Sequence, residues 1–287
     1  MSKTIILGTV QFGIKYGINN HTDKPTDSQV FEILETAWDN GVNTLDTADA
    51  YGEAIRIISS YHQHSGKLFN INTKFKNLDV ISINSKLKSD LLSLHCSQIN
   101  TLFFHSYAEY KNSNHILLEL LKAKEEGLIS SIGVSVYSNE ELLHVINDLN
   151  IDVIQLPFNL FDNDFQRAKL LKIAKEKRKK IQVRSVFLQG LFFMNIKEVP
   201  EKLEILKPWL EKIEKLSELS DMSKESLCLL YPNAQDYIDE IIIGVDTKIQ
   251  LLSNIKSLKL FLPASIKSEI DQISISPSSI LYPPNWL

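Results

Sequence analysis

Asp46, Tyr51, Lys74 and His105 are the residues of this chain whose types and placement suit joint chemistry. Each lies at or just past the end of a short apolar run. Leu45-Asp46-Thr47-Ala48-Asp49-Ala50-Tyr51-Gly52 closes the second run, Asn72-Thr73-Lys74-Phe75 the third and Phe103-Phe104-His105-Ser106 the fourth. A tyrosine, with an unperturbed pKa of about 10, is a poor acid at neutral pH. A nearby ammonium such as Lys74 stabilises the phenolate and lowers that pKa. A carboxylate such as Asp46 pairs with the ammonium, holds its geometry and keeps it charged. A histidine such as His105 polarises a carbonyl oxygen or orients its carrier. The set suits a reaction in which a carbonyl oxygen gains a proton while its carbon gains a hydride. No side chain supplies hydride, so this chemistry requires a nicotinamide.

Taken singly, these residues say less. Asp46 reads equally well as a helix N-cap, Tyr51 as a loop aromatic, and Lys74 and His105 as structural. Their joint position depends on the elements that carry them. Short, mostly apolar runs occur at Thr4 to Val10, Val42 to Leu45, Phe69 to Thr73, Ile99 to Phe104, Ile132 to Val134, Val153 to Leu156, Ile181 to Val186 and Ile241 to Ile243. Such runs fit strands buried on both faces of a parallel sheet. Helical stripes fill the gaps. Val30, Ile33, Leu34, Ala37 and Trp38 stop before Gly41, and Leu117, Leu120, Leu121 and Ala123 stop before Gly127, each glycine suited to end a helix. Leu142, Leu143, Val145, Ile146 and Leu149 form another stripe, and Leu203, Leu206, Trp209, Leu210, Ile213 and Leu216 a longer one. Eight strand–helix units in 287 residues predict an α/β protein, a single (β/α)8 TIM barrel over residues 1–287. In that architecture the active site lies at the C-terminal ends of the strands, where the four residues fall.

Composition narrows the class. Hydrophobic residues make up 44 % and charged residues 23 %, which excludes a disordered chain and a collagen. Net charge is −4, and the arginines are Arg56, Arg167, Arg178 and Arg184, so nucleic acid is not an expected partner. No apolar run reaches the roughly 20 residues that span a bilayer. The chain enters Thr4-Ile5-Ile6-Leu7-Gly8 without a signal-peptide pattern. Its two cysteines, Cys96 and Cys228, are far apart and make no metal motif. A reducing, cytoplasmic setting is expected. No metal is expected: His62 and His64, two apart, do not share a helical face. The run Lys175 to Lys180 reads as the solvated, dipole-complementing end of a helix.

The order and spelling of the strand-end motifs resemble the aldo-keto reductase family across nearly the whole chain. They are Gly8-Thr9-Val10-Gln11-Phe12-Gly13, Asp46-Thr47-Ala48 with Tyr51-Gly52, Thr73-Lys74, Phe104-His105-Ser106, Gly133-Val134-Ser135, Gln155-Leu156-Pro157-Phe158-Asn159, Arg184-Ser185-Val186-Phe187-Leu188-Gln189-Gly190 and Ile243-Gly244-Val245. The resemblance implies that Tyr51 is the general acid and base, tuned by Lys74 and Asp46, with His105 on the substrate carbonyl. It implies NADP(H) or NAD(H) bound on the barrel rim, the nicotinamide carboxamide on Ser135 and Gln155. Arg184 and Ser185 would stand beside the nicotinamide, and Gly244, Val245, Gln250 and Asn254 at the adenosine end. The chain departs from the family pattern at Val136, where an Asn is usual, and at Arg184, where an aromatic often stacks. It departs also at Ile55, where an acidic residue is usual or is shifted to Glu53, and at Gln250, a basic place in many members, with Lys248 close by. The choice between NADPH and NADH therefore stays open, as does the oligomeric state. Within the family the motifs resemble bacterial members associated with surface-polysaccharide sugar metabolism, which implies a small carbonyl substrate such as a sugar or nucleotide sugar. The alternative is a nucleotide-binding regulatory barrel subunit with little turnover.

Overall fold

The computed structural model describes residues 3–76 and 80–286. Eight parallel strands close into a barrel in chain order. They are β1 (Thr4–Gly8), β2 (Thr44–Asp46), β3 (Asn70–Phe75), β4 (Ile99–Phe104), β5 (Ile129–Ser135), β6 (Val153–Pro157), β7 (Lys180–Arg184) and β8 (Glu240–Gly244). β8 pairs with β1 from Thr4↔Glu240 to Gly8↔Gly244 and closes the ring. The expected (β/α)8 barrel is thus observed. The strand order follows from the sequence, because short parallel strands joined by helical crossovers leave each strand beside its predecessor.

The helices are α1 (Val10–Gly13), α2 (Asp27–Asp39), α3 (Ala54–Ser65), α4 (Val80–Ser93), α5 (Tyr107–Lys111), α6 (Asn114–Glu125), α7 (Asn139–Ile146), α8 (Asp164–Glu176), α9 (Lys207–Ser220), α10 (Lys224–Asn233), α11 (Lys248–Ser257) and α12 (Ala264–Asp271). Their ends are chemically marked. Thr26 with Gln29, Ser106 with Glu109 and Ser138 with Glu141 form capping boxes at α2, α5 and α7. Gly41 and Gly127 stand past α2 and α6 at φ 77° and 75°. Val30, Ile33, Leu34 and Ala37 of α2 are buried against the barrel.

Several boundaries shift. β1 ends at Gly8, and Val10 opens a helical turn. β2 runs to Asp46 and β3 through Lys74, so these two side chains are on the strands themselves, not beyond them. The α7 stripe ends at Ile146, and Leu149 is 91 % exposed. The lysine run is only partly solvated. Lys179 is buried and donates to the Asp148 and Ile151 carbonyls at 2.5 and 2.6 Å, fastening the end of α8 to the turn before β6. His62, also buried, accepts from the Phe69 amide at 3.1 Å and meets the Leu94 carbonyl at 2.7 Å, so its ring ties α3 to its neighbours.

Two glycines set the loop that carries Tyr51. A Cβ on Gly13 would stand 1.6 Å from the Tyr51 carbonyl oxygen. A Cβ on Gly52, at φ 54°, would stand 2.6 Å from the Gly13 oxygen. The turns after β1 and β2 lie on each other backbone to backbone, an approach only glycine permits. No described helix is long and apolar enough to cross a membrane.

Candidate active site

At the C-terminal mouth the strands open on a cavity of about 720 Å3. Asp46, Tyr51, Lys74 and His105 line one part of it, as do Ser135, Gln155, Arg184 and Ser185. Gly244, Gln250 and Asn254 line another. Val245 differs: its side chain packs into the core.

Lys74 and Asp46 form a buried ion pair, their side chains 2 % and 4 % exposed. The second carboxylate oxygen of Asp46 accepts from Gln155 Nε2 at 2.8 Å. Lys74 Nζ lies 5.5 Å from the centre of the Tyr51 ring and 5.6 Å from that of Phe103. Burial draws the ammonium pKa down, and Asp46 opposes the shift. The Tyr51 hydroxyl has no hydrogen-bond partner among the described residues. Its ring stands edge-on to His105, centroids 6.3 Å apart.

The expected lowering of the Tyr51 pKa by Lys74 is not what this geometry gives. Burial raises it first, the Asp46 charge raises it further, and Arg184 opposes them. The physical reason is that burial penalises the phenolate most, and the Asp46 charge beside Lys74 offsets the pull of the ammonium. The phenol therefore holds its proton through the neutral range, ready to give it away. His105 is pushed down to about 3, by burial first and then by Lys74, Lys76 and Arg184. It is a neutral imidazole whose Nδ1 is buried without a partner. A neutral ring can donate to a carbonyl oxygen without competing for the tyrosine proton.

Arg184, half-buried, lays its guanidinium 4.2 Å from the centre of the Tyr137 ring. It reaches the hydroxyls of Ser135 and Ser185 at only 3.4 Å and has no carboxylate partner among the described residues. Tyr137 meets Tyr282 edge-on at 4.3 Å between centroids. The loop after β7 folds over this corner with Ser185, Leu188 and Gln189 at φ 58°, 46° and 55°. Left-handed backbone at three non-glycine residues beside a cavity is strain of the kind found at functional sites. Gln189 donates to the Tyr16 hydroxyl at 3.2 Å. Of Leu191-Phe192-Phe193-Met194, Phe193 lines the cavity while Leu191 and Phe192 are core.

The far part of the cavity has a different charge. Asp246 and Glu225 contribute carboxylates. Lys248, the nearest basic residue in sequence, is tied to Glu32 at 2.7 Å. Gln250 accepts from the Asp246 amide at 2.7 Å. Buried, unpartnered acceptors remain at Gln11 Oε1, Gln155 Oε1 and Asp246 Oδ1. These acceptors suit a ligand rich in N–H and O–H donors, such as a carboxamide and a ribose. Sequence reasoning did not single out Tyr16, Tyr137, Tyr282, Glu225 or Asp246. Tyr137, two residues past Ser135 on the same face, was within reach of the alternation of a strand. Tyr282 was not, because it comes from the C-terminal segment.

With this geometry in place, the family model described as Aldo/keto reductase family matches residues 4–275. The chain belongs to that family. Aldo-keto reductases carry out NAD(P)H-dependent oxidoreduction of carbonyl compounds, and this chain is accordingly an oxidoreductase. Among solved structures, an aldo-keto reductase from Bacillus halodurans in its holo form superposes with a TM-score of 0.77 at 16 % identity, covering 96 % of this chain and 93 % of that one. A Pseudomonas aeruginosa protein assigned to the aldo-keto reductases gives 0.64 at 19 % identity, covering 90 % of each chain. Both are similar in fold. No curated protein matches the chain.

Proposed function

We propose that this aldo-keto reductase moves hydride between NADH and the carbonyl carbon of a small, polyhydroxylated substrate, a sugar or nucleotide sugar, with Tyr51 as proton donor. The observation that carries the reading is the convergence of Tyr51, Lys74, Asp46 and His105 at one end of one cavity. His105 and Tyr51 both present donors there, so a carbonyl oxygen placed between them is polarised by the first and protonated by the second. Lys74, held by Asp46, stabilises the phenolate that proton transfer leaves behind. Solvent then reloads Tyr51.

Ser135, Gln155, Arg184 and Ser185 would hold the nicotinamide end of the cofactor, and Gly244, Gln250, Asn254 and the backbone at Val245 the adenosine end. When bound, the reduced nicotinamide supplies the hydride. The choice of NADH rests on charge: Asp246 and Glu225 would accept from ribose hydroxyls and repel a 2′-phosphate. The sugar reading rests on the cavity wall, where Tyr16, Asn19, Asn20, Gln189 and Tyr282 offer polar groups. A role in carbohydrate metabolism, such as polysaccharide biosynthesis in the cytoplasm, would follow.

Calorimetric titration with NADH and NADPH, then a panel of keto-sugars and aromatic aldehydes, tests the proposal. Expected are saturable binding with NADH the tighter, and turnover of keto-sugars. Binding of neither dinucleotide removes the proposal. Turnover of aromatic aldehydes alone removes its sugar part.

A further inference from the structure

Gln182 is fully buried inside the barrel, and nothing in the Tyr51 chemistry uses it. It is the register partner of Gln155 on β6 and of Glu240 on β8. Hydrogen bonds follow the same line. Gln155 Nε2 donates to Asp46 Oδ2 at 2.8 Å and to Gln182 Oε1 at 3.2 Å. Gln182 Nε2 donates to Glu240 Oε2 at 2.7 Å. Glu240 Oε1 accepts from Lys180 at 3.4 Å, at the N-terminal end of the strands. The line therefore crosses the barrel from its far mouth to the catalytic carboxylate. Buried polar groups are costly unless they are bonded, so the way this line is bonded carries information.

A primary amide has a donor end and an acceptor end, and its partners decide which way it faces. Carboxylates at neutral pH only accept. Glu240 therefore takes the nitrogen of Gln182, which turns the Gln182 oxygen toward Gln155. That oxygen and Asp46 together occupy both N–H groups of Gln155. One polar atom of Gln155 is left over. It is Oε1, buried without a partner, in a residue that lines the cavity.

We infer that Gln182 and Glu240 are positioning residues that lock the Gln155 amide so that it offers only an acceptor to a bound ligand. The locked amide selects a ligand group that donates N–H, which on the function proposed above is the amino end of the nicotinamide carboxamide. The two residues touch neither substrate nor cofactor; they act through Gln155. The order of the line predicts a graded effect, larger at Gln182 and smaller at Glu240.

The test is a comparison of two ligands on the full chain. One is the reduced dinucleotide, in whichever of the NADH and NADPH series binds more tightly. The other is its 3-acetylpyridine analogue, in which a methyl group replaces the carboxamide amino group. Dissociation constants are read by calorimetry, with melting temperature as a check on folding. The unsubstituted protein should prefer the carboxamide about tenfold, the scale of one buried hydrogen bond. Gln182→Met, close in volume, should cut that preference to about twofold, through weaker binding of the carboxamide form alone. Glu240→Gln, an isosteric change, should cut it less and in the same direction, and it carries the test if Gln182→Met does not fold. Equal weakening of both ligands, or an unaltered preference in the variants, would overturn the inference while leaving the proposed function standing. Binding of neither dinucleotide by the unsubstituted protein would overturn both.

Discussion

Two buried ion pairs in this barrel look alike by exposure and differ in every other respect. Lys74 and Asp46 are 2 % and 4 % exposed; Arg167 and Asp162 are 7 % and 5 %. Arg167 is bonded on all three of its nitrogens. Its Nε and one terminal nitrogen grip both oxygens of Asp162 at 2.6 and 2.8 Å, and further bonds reach the Tyr137 carbonyl and Asn139 Oδ1. Lys74 has Asp46 and, at 3.5 Å, the Thr47 carbonyl. It borders the cavity and the Tyr51 ring, and Arg167 does not line the cavity. A planar fork with four of its five donors engaged is a fastening for the loop between β6 and α8. A compact ammonium with donors to spare, beside a phenol, can answer to a charge that appears during reaction. What separates structure from chemistry here is the completeness of the bonding.

Removal of one cation from each pair tests that contrast. The largest expected effect is on turnover in Lys74→Met, where kcat should fall about 10²- to 10⁴-fold because the phenolate loses its counter-charge. A Lys74→Met enzyme with normal kcat would make this pair as structural as the other. Arg167→Met should act on stability, since breaking a buried pair costs about 3–5 kcal/mol. Differential scanning calorimetry should then show a melting temperature lower by on the order of 10 °C, with kcat of the folded protein little changed. An unmoved melting temperature would deny Arg167 its fastening role.

A smaller effect separates the cations from the histidine they depress. With its folded pKa at about 3, His105 stays neutral across the working range. The pH profile of kcat/KM for reduction should therefore show no inflection near the usual imidazole value. Unfolded imidazole takes up its proton below about pH 6.5. The unfolded state thus binds more protons between that pH and about 3, so stability falls as the pH is lowered through this window. His105→Gln should lose less stability on acidification than the unsubstituted chain, as read from urea midpoints at several pH values. The smallest effect concerns the far part of the cavity. Glu225→Lys, at an exposed site, should shift the ratio of NADPH to NADH affinity by no more than about fivefold toward NADPH. A shift toward NADH would place the adenosine phosphate elsewhere.

The barrel was readable because its signals are local. Eight apolar runs and helix-ending glycines such as Gly41 and Gly127 are properties of a few consecutive residues. The placement of Asp46, Lys74 and His105 at one mouth followed from the parallel strand rule once the runs were counted. Other features depend on distant segments meeting. Tyr282 reaches the cavity from the C-terminal segment, and the Asp46–Gln155–Gln182–Glu240 line joins four strands. The Tyr51 pKa was expected in the wrong direction because spacing puts a lysine nearby but shows neither how deeply the phenol is buried nor that the Asp46 charge offsets the ammonium. Lys179 failed for a related reason: a lysine in a charged run reads as solvated, yet two carbonyl groups at the bottom of the barrel receive it.

On the proposed function the phenol of Tyr51, not the cavity alone, makes this chain an enzyme. The direct measurement is kcat and dinucleotide dissociation constant for Tyr51→Phe beside the unsubstituted chain, with a keto-sugar that the latter reduces. The expected result is a loss of about 10²- to 10⁴-fold in kcat with the dissociation constant unchanged. Equal turnover in the two proteins would contradict the claim. It would leave the cavity to a nucleotide-binding, regulatory role.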